Sequence, residues 1–313
     1  MRILADEMER FLAKEESHFE GNVVISREKL NVYADEGTLY EKENRVRLIG
    51  NVRIFFGENI YSANKAMLYR GGEKIVLEDD VKLILLTNGK SDVVAYGHRA
   101  DFYPEQEKKG KVIRPQKVYL YASGQQMAQV YYESGWIEAE QVFAQGVHFK
   151  FIEAFHQVFF ESEKDSVAGF CEKLRRDGEI VFVWGNKNKR PLLYQYENTL
   201  LKIAMLAHEI EYRENEEVAF GRGSAQVRIY PKNTYIPKQY LDFLVLPARS
   251  DIFGQWAKYE LNLDFLTMSG DVRIQEKNSL LRAQSLQMHT KSNRIRFVGN
   301  LNGSFKFAST ENR

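Results

Sequence analysis

The chain has 313 residues, 44% of them hydrophobic, so it is long and apolar enough to bury a continuous core. Its 44 Lys and Arg residues nearly cancel its 43 Asp and Glu residues, which excludes an overall charge that would favour nucleic acid. Phe and Tyr number 20 and 17 while Pro numbers 6, a composition that favours strands over helices.

A repeat of 29 residues begins near the start of the chain. Gly-Asn-Val-Val-Ile at 21–25 returns as Gly-Asn-Val-Arg-Ile at 50–54 and, with acids in place of Gly-Asn, as Asp-Asp-Val-Lys-Leu at 79–83. A second marker, Ala followed by Asp or Asn, keeps the same period and starts at residues 5, 34 and 63. Two markers in constant phase predict stacked repeats of strand, corner and strand.

Within each repeat, apolar and polar residues alternate. Val46, Leu48 and Val52 are apolar, whereas Arg47 and Arg53 lie between them at the other phase. A period of two places alternate side chains on opposite faces of a strand, so we expect one inward apolar wall. The residues predicted to form this wall and to bind lipid are Phe19, Val23, Ile25, Val46, Leu48, Val52, Ile54, Ile75, Leu77, Val81, Leu83, Val272, Ile274 and Phe297.

The repeat is least legible over 151–255. There Val167, Phe170, Cys171 and Leu174 stand at i, i+3, i+4 and i+7, and Gly178 follows as a stop signal. This spacing predicts one short amphipathic helix near 162–178, which we expect to plug or cap the apolar interior.

Towards the carboxyl end the period returns, with Gly-Asp-Val-Arg-Ile at 270–274 and Gly-Asn-Leu at 299–301. We therefore expect an all-β fold, elongated and built from stacked antiparallel repeats. The whole chain, 1–313, is predicted to be a single repeat domain. Its repeats are clear to moderate over 1–150, irregular over 151–255 and clear over 256–313.

No motif in the sequence indicates an enzyme. His208-Glu209 lacks the second histidine of a zinc-protease helix, and the Gly-Arg-Gly-Ser run at 221–224 is not a nucleophile elbow. The single cysteine, Cys171, cannot form an intrachain disulfide and is expected to be a packed thiol. We therefore expect no catalytic residue, no metal and no cofactor. The first residues show no apolar leader, so an exported protein would have lost its signal peptide.

The segments 32–40 and 46–54 together resemble the OstA-like repeat of the LptA/OstA lipopolysaccharide transport family, which is also found in LptC and the amino-terminal domain of LptD. The similarity is clearest over 1–90 and 262–307. The resemblance implies a β-jellyroll, open along one side, whose apolar interior shelters the acyl chains of lipid A. It also implies a periplasmic bridge between inner and outer membranes, joined head to tail or to LptC-like and LptD-like proteins through edge strands.

Other interpretations remain open on the residues alone. The inward residues fit a lipid-binding wall, but in any sandwich they would be ordinary core. A structural or adhesive β-solenoid that acts as a protein-interaction scaffold is the alternative function. The basic groups at 108–117 and 187–190 fit solvated loops better than phosphate sites. We expect partners to bind the terminal strands, around 11–25 at one end and 295–307 at the other, because terminal strands expose unpaired backbone groups.

Overall fold

The computed structural model describes residues 2–87, 90–108, 111–124, 126–132, 135–146, 149–276, 279–292 and 294–305. Most of them lie in antiparallel strands, which confirms the predicted all-β class. By its internal contacts the chain divides into two compact units, Met1–His156 and Gln157–Arg313. The single repeat domain over 1–313 stays a prediction. Within the described residues, no helix is long and apolar enough to cross a membrane.

The first unit begins with long hairpins and continues with shorter strands. Its strands are β1 (Arg2–Leu4), β2 (Glu7–Phe11), β3 (Glu16–Arg27), β4 (Leu30–Tyr40), β5 (Arg45–Phe56), β6 (Asn59–Tyr69), β7 (Lys74–Thr87), β8 (Lys90–Tyr103), β9 (Gln106–Lys108), β10 (Lys111–Arg114), β11 (Lys117–Tyr121), β12 (Ala128–Tyr132), β13 (Gly135–Ala139) and β14 (Gln141–Gln145). Strand β15 (Phe151–Ser162) runs from the first unit into the second.

The second unit contains the described helix. Its elements are β16 (Val167–Asp177), β17 (Ile180–Trp184), β18 (Leu192–Glu197), β19 (Leu200–Leu206), β20 (Glu209–Arg213), β21 (Val218–Ile229), α1 (Tyr240–Val245), β22 (Ser250–Glu260), β23 (Phe265–Glu276), β24 (Ser279–His289), β25 (Arg294–Val298) and β26 (Asn302–Phe305).

Each long strand of the first unit bends in the middle and contributes to two half-sheets. Half-sheet 1a consists of β2, β11, β14 and segments 16–20, 36–40, 45–49, 65–69, 74–78, 99–103 and 151–155. Half-sheet 1b consists of β1, β12, β13 and segments 23–27, 30–34, 52–56, 59–63, 81–87 and 90–97. Their inward faces pack on each other.

The second unit repeats this arrangement. Half-sheet 2a consists of β17, β20, β25 and segments 173–177, 218–222, 256–260, 265–269 and 285–289. Half-sheet 2b consists of β18, β19, β26 and segments 167–170, 225–229, 250–254, 272–276 and 279–283. Across the interior between them, the Tyr259 hydroxyl donates a hydrogen bond to Gln195 Oε1 at 2.8 Å.

In alternate long strands, among them β3, β5 and β7, the bend occurs where two successive residues adopt the left-handed conformation. In β5 these residues are Gly50, with φ of 76°, and Asn51, with φ of 45°, and the ladders on both sides shift register there. A side chain at Gly50 would collide with the Asp35 carboxylate, so the corner requires glycine at this position. Gly270 and Asp271 form an equivalent corner in β23.

The two sequence markers meet at these corners. In each of three repeats an asparagine amide donates to an aspartate carboxylate 16 residues away: Asn22 to Asp6 at 2.8 Å, Asn51 to Asp35 at 2.8 Å and Asn64 to Asp80 at 2.9 Å. The third repeat exchanges the positions of the two side chains. Its left-handed Asp79, which replaces glycine, is held by Lys65 Nζ at 2.8 Å. The 29-residue period therefore reflects a repeated corner contact.

The prediction of a helix near 162–178 is wrong. Residues 163–166 form a turn, and Val167–Asp177 is strand β16, paired with β18 and then with β17. Both faces of β16 are covered at its start, where Val167 and Ala168 are both buried, so strict alternation is lost and the apolar spacing imitates a helix. Cross-strand pairing decides the conformation.

The helix lies instead at Tyr240–Val245 and packs on the outer face of half-sheet 2b. Its Tyr240 and Phe243 are buried in a cluster with Leu192, Tyr194 and Leu206. The helix therefore covers the outside of a sheet and does not plug the interior.

Candidate functional site

The predicted inward wall faces the interior of the protein. All of its residues are buried except Phe297, which is half-buried. Arg47 and Arg53, at the opposite phase, are exposed. The predicted register is therefore confirmed, while a role of these side chains in lipid binding stays a prediction.

In the first unit, the two half-sheets pack directly against each other. The rings of Tyr61, in half-sheet 1b, and Phe102, in half-sheet 1a, lie 4.6 Å apart between centroids. Leu48 and Val52, on either side of the β5 corner, are 0% exposed. Protein side chains thus fill this part of the interior.

Half-sheets 1a and 1b are joined at the corners, and at their other ends the strands turn back. Between these turns the two half-sheets leave a cleft. The cleft is lined by Arg27, Glu28, Lys29, Leu30, Phe56, Gly71, Gly72, Glu73, Pro104 and Glu105. It continues into a neighbouring cleft that shares Lys29, Phe56 and Glu105 and adds Gly57, Glu58, Asn59, Leu85, Leu86 and Gln116. We call these two together the mouth cleft.

The mouth cleft has an apolar floor and a charged rim. Leu30 and Leu85 on the floor are buried, and Phe56 next to them is half-buried. The Phe56 ring lies 6.4 Å from the Phe102 ring, so the floor is continuous with the packed interior. The rim carries both signs of charge, from Arg27 and Lys29 and from the four glutamates that line the cleft.

Arg27 bridges the cleft. Its Nη1 donates to the backbone carbonyls of Arg70 at 3.3 Å and Gly71 at 3.2 Å, and these lie in the β6–β7 turn on the other side. Position 27 corresponds through the 29-residue period to Phe56 and Leu85, which both face inward. The sequence prediction missed this residue, although an arginine at an otherwise apolar position of the repeat was a usable signal.

One polar group is enclosed near the floor. Tyr61 is fully buried, and among the described residues its hydroxyl makes no hydrogen bond of good geometry, although the Asn59 side chain lies near it. Burial raises the pKa of Tyr61 well above its ordinary value, although the nearby Asn59 side chain opposes the rise, so the hydroxyl remains a donor. An unsatisfied buried hydroxyl is costly and calls for an explanation.

The terminal strands leave two open edges. Strands β1 and β2 pair with β3, and β25 and β26 pair with β24; within the described residues no other ladder involves these four strands. The first edge is therefore β1 and β2, whereas β3 is paired on both sides. Of the second predicted segment, 295–307, residues 306 and 307 lie outside the described residues.

Two further candidates from the sequence, Cys171 and the run at 221–224, lie in strands of the second unit. Cys171 is buried in β16, and burial raises the pKa of its thiol far above the ordinary value. Gly223 and Ser224 form a left-handed corner. Among the described residues no group of three or more His, Cys, Asp and Glu side chains is arranged to hold a metal ion. In the basic group at 108–117, residues 109 and 110 lie outside the described residues.

Comparison with known proteins adds no relative: no family model matches the sequence, and no curated protein is significantly similar to it.

Proposed function

We propose that the protein is a non-enzymatic carrier that holds the acyl chains of a lipopolysaccharide-type glycolipid between half-sheets 1a and 1b. The observation that carries this proposal is the mouth cleft, where an apolar floor lies under a charged rim and leads into an apolar interior. Such a site suits an amphiphile, whose chains enter the interior while its sugars and phosphates remain in water.

The energy for uptake comes from the hydrophobic effect. Each CH₂ group of an acyl chain that leaves water contributes about 0.8 kcal/mol. The opposing cost is separation of the packed walls and loss of the exposed Arg27 hydrogen bonds, each of which contributes about 1 kcal/mol. Acyl chains that fill the opened space offset this cost in proportion to the number of CH₂ groups that they bury.

Two further features support the carrier. The Tyr61 hydroxyl offers a donor in the interior that an acyl ester carbonyl of the ligand would satisfy. The open edges at β1–β2 and β25–β26 offer backbone groups to which LptC-like and LptD-like partners, or further copies of this chain, add strands. The proposal includes a periplasmic location between the two membranes.

A structural or adhesive scaffold is the second candidate, and the filled interior favours it. Leu48 and Val52 are fully buried by the protein's own side chains, as in an ordinary sandwich core. In that case the interior serves only stability, and function resides in the outer faces and edges.

Photo-crosslinking separates the two candidates. Phe56 faces the mouth cleft, whereas the adjacent Phe55 faces outward against Tyr33 with ring centroids 5.7 Å apart. A benzophenone analogue of phenylalanine replaces either ring with little change of shape. In a host that makes lipopolysaccharide, the carrier predicts a lipopolysaccharide adduct at position 56 and none at position 55.

The outcome is read by immunoblotting against both protein and glycolipid. Equal capture of lipopolysaccharide at both positions, or adducts with protein neighbours alone, would contradict the carrier and favour the scaffold. Thermal unfolding of each variant beforehand shows that the label has not disturbed the fold.

A further inference from the structure

Helix α1 presents an apolar surface to solvent. Tyr240 and Phe243 point into the sheet beneath it, while Leu241 and Val245 are 66% and 80% exposed. Leu244 is also exposed, and Tyr235, five residues before the helix, is 72% exposed. We call Tyr235, Leu241, Leu244 and Val245 the helix patch. Exposed apolar side chains that cluster in this way mark an interaction surface.

The helix is firmly held, so this exposure is not the result of a frayed end. Arg228, which is buried, donates to the carbonyls of Phe243, of Leu244 at 3.0 Å and of Leu246 at 2.9 Å. These are the carbonyls that the end of a helix leaves without a partner. Asp251 in turn accepts from Arg228 Nε at 2.8 Å. The patch thus stands on a fixed platform.

Basic residues flank the patch in the sequence. The segment 231–249 contains Lys232, Lys238 and Arg249 against one acid, Asp242, and the three basic side chains are exposed. The turn that precedes β18 adds Lys189, whose Nζ lies 4.5 Å from the centre of the Tyr240 ring. The excess of positive charge is confined to this region, because the chain as a whole is nearly neutral. The patch is therefore complementary to a negatively charged partner with an apolar layer.

We propose that the helix patch docks the protein on an anionic phospholipid bilayer. Aliphatic side chains and a tyrosine on one exposed side, with lysines and an arginine beside them, form the pattern of interfacial helices that lie in the headgroup layer. A helix of six residues inserts few side chains, so the contact is weak and reversible. This proposal does not depend on the carrier function, because it concerns the outer face of half-sheet 2b.

The test uses the whole chain and two kinds of vesicle, phosphatidylcholine alone and phosphatidylcholine mixed with phosphatidylglycerol. We expect co-sedimentation with the mixed vesicles and much less with the neutral ones, and we expect salt to weaken it. The double variant Leu241→Gln, Val245→Gln should lower binding about tenfold or more. The matched control is Leu263→Gln, an exposed leucine in the β22–β23 turn, which should bind as the parent does.

A second measurement reports the depth of contact. Because Cys171 is buried, a cysteine introduced as Val245→Cys or Leu263→Cys takes an environment-sensitive dye selectively. The emission at position 245 should shift to the blue on mixed vesicles, and that at position 263 should not. The proposal is overturned if the parent fails to bind mixed vesicles, if the glutamine double variant binds as well as the parent, or if the patch instead mediates self-association in light scattering.

Since the vesicles contain no lipopolysaccharide, failure here leaves the crosslinking result at Phe56 unaffected, and the two proposals fail separately.

Discussion

The contact between Asp35 and Asn51 should be exchangeable, because the third repeat already holds its corner with the two residues reversed, as Asn64 and Asp80. The double variant Asp35→Asn, Asn51→Asp reproduces that arrangement. Left-handed aspartate after glycine is also tolerated, since Asp271 has φ of 52° after Gly270. We expect the exchanged corner to fold with nearly the stability of the parent.

The single variants should be less stable for different reasons. A hydrogen bond to a charged group contributes about 1.5–3 kcal/mol, and surface exposure reduces this to about 1 kcal/mol. Asn51→Asp loses the donor and places two carboxylates in contact, so it should cost about 1–2 kcal/mol. Asp35→Asn keeps a neutral hydrogen bond and should cost about 0.5 kcal/mol. The exchange should recover at least 1 kcal/mol relative to Asn51→Asp.

Urea unfolding measures these differences through the midpoint at constant slope. Trp136 lies in the first unit and the other two tryptophans lie in the second, so replacing Trp184 and Trp256 by phenylalanine makes fluorescence report the first unit. If the exchanged variant is as unstable as Asn51→Asp alone, the side-chain pair does not hold the corner and the reasoning fails.

Three further predictions concern the core, acid stability and assembly. Leu48→Ala should destabilise the first unit by about 2–5 kcal/mol in urea unfolding, because Leu48 is fully buried between the walls. Burial alone would raise the pKa of Asp101, but hydrogen bonds from Arg99 and Lys74 bring it below its ordinary value of 3.8. The ionised Asp101 therefore contributes to the stability of the fold above that pH, and this contribution is lost as the pH falls through the lowered pKa. Asp101→Asn should therefore flatten the loss of stability in acid, measured by urea midpoints across this range. Phe297→Pro should abolish concentration-dependent association in light scattering while the fold persists, since β25 is an edge strand; unchanged association would contradict assembly through this edge.

The repeated part of the fold was predictable because its determinants are local. The alternation around Val52 and the Gly50-Asn51 step specify which face is buried and where the strand bends, and the structure agrees with both. The partner of the corner, Asp35, belongs to a marker found independently in the sequence. The sequence shows that the two markers keep a constant spacing within the repeat, but it does not show the hydrogen bond that explains this spacing.

The middle of the chain was not predictable in the same way because its conformation depends on distant residues. Ala168 is buried because helix α1, more than 70 residues later, covers the outer face of β16. That cover removes the alternation by which a strand is recognised. The helix itself depends on Arg228, whose contacts with its last carbonyls have no sequence signature.

The mouth cleft could be predicted only in part. Its floor follows from the repeat, since Phe56 stands 29 residues before Leu85 at the same phase. The Arg27 bridge requires knowledge of which turns face each other, and no local pattern places the β6–β7 turn opposite β3. An irregularity within a regular repeat is nevertheless a place to look for function.

Each corner pair joins positions 16 residues apart, and every ladder from β3 to β8 connects strands that are neighbours in sequence. The ladders in this part of the chain therefore join only successive strands, and we expect folding to propagate from any one hairpin and its corner to the next. The same locality has an evolutionary consequence. Between the first two repeats, which keep the same order of aspartate and asparagine, duplication or deletion of 29 residues leaves each asparagine opposite an aspartate. A deletion that joins the second repeat to the third within a corner pair would instead place Asp35 opposite Asp80, because the third repeat has the reverse order.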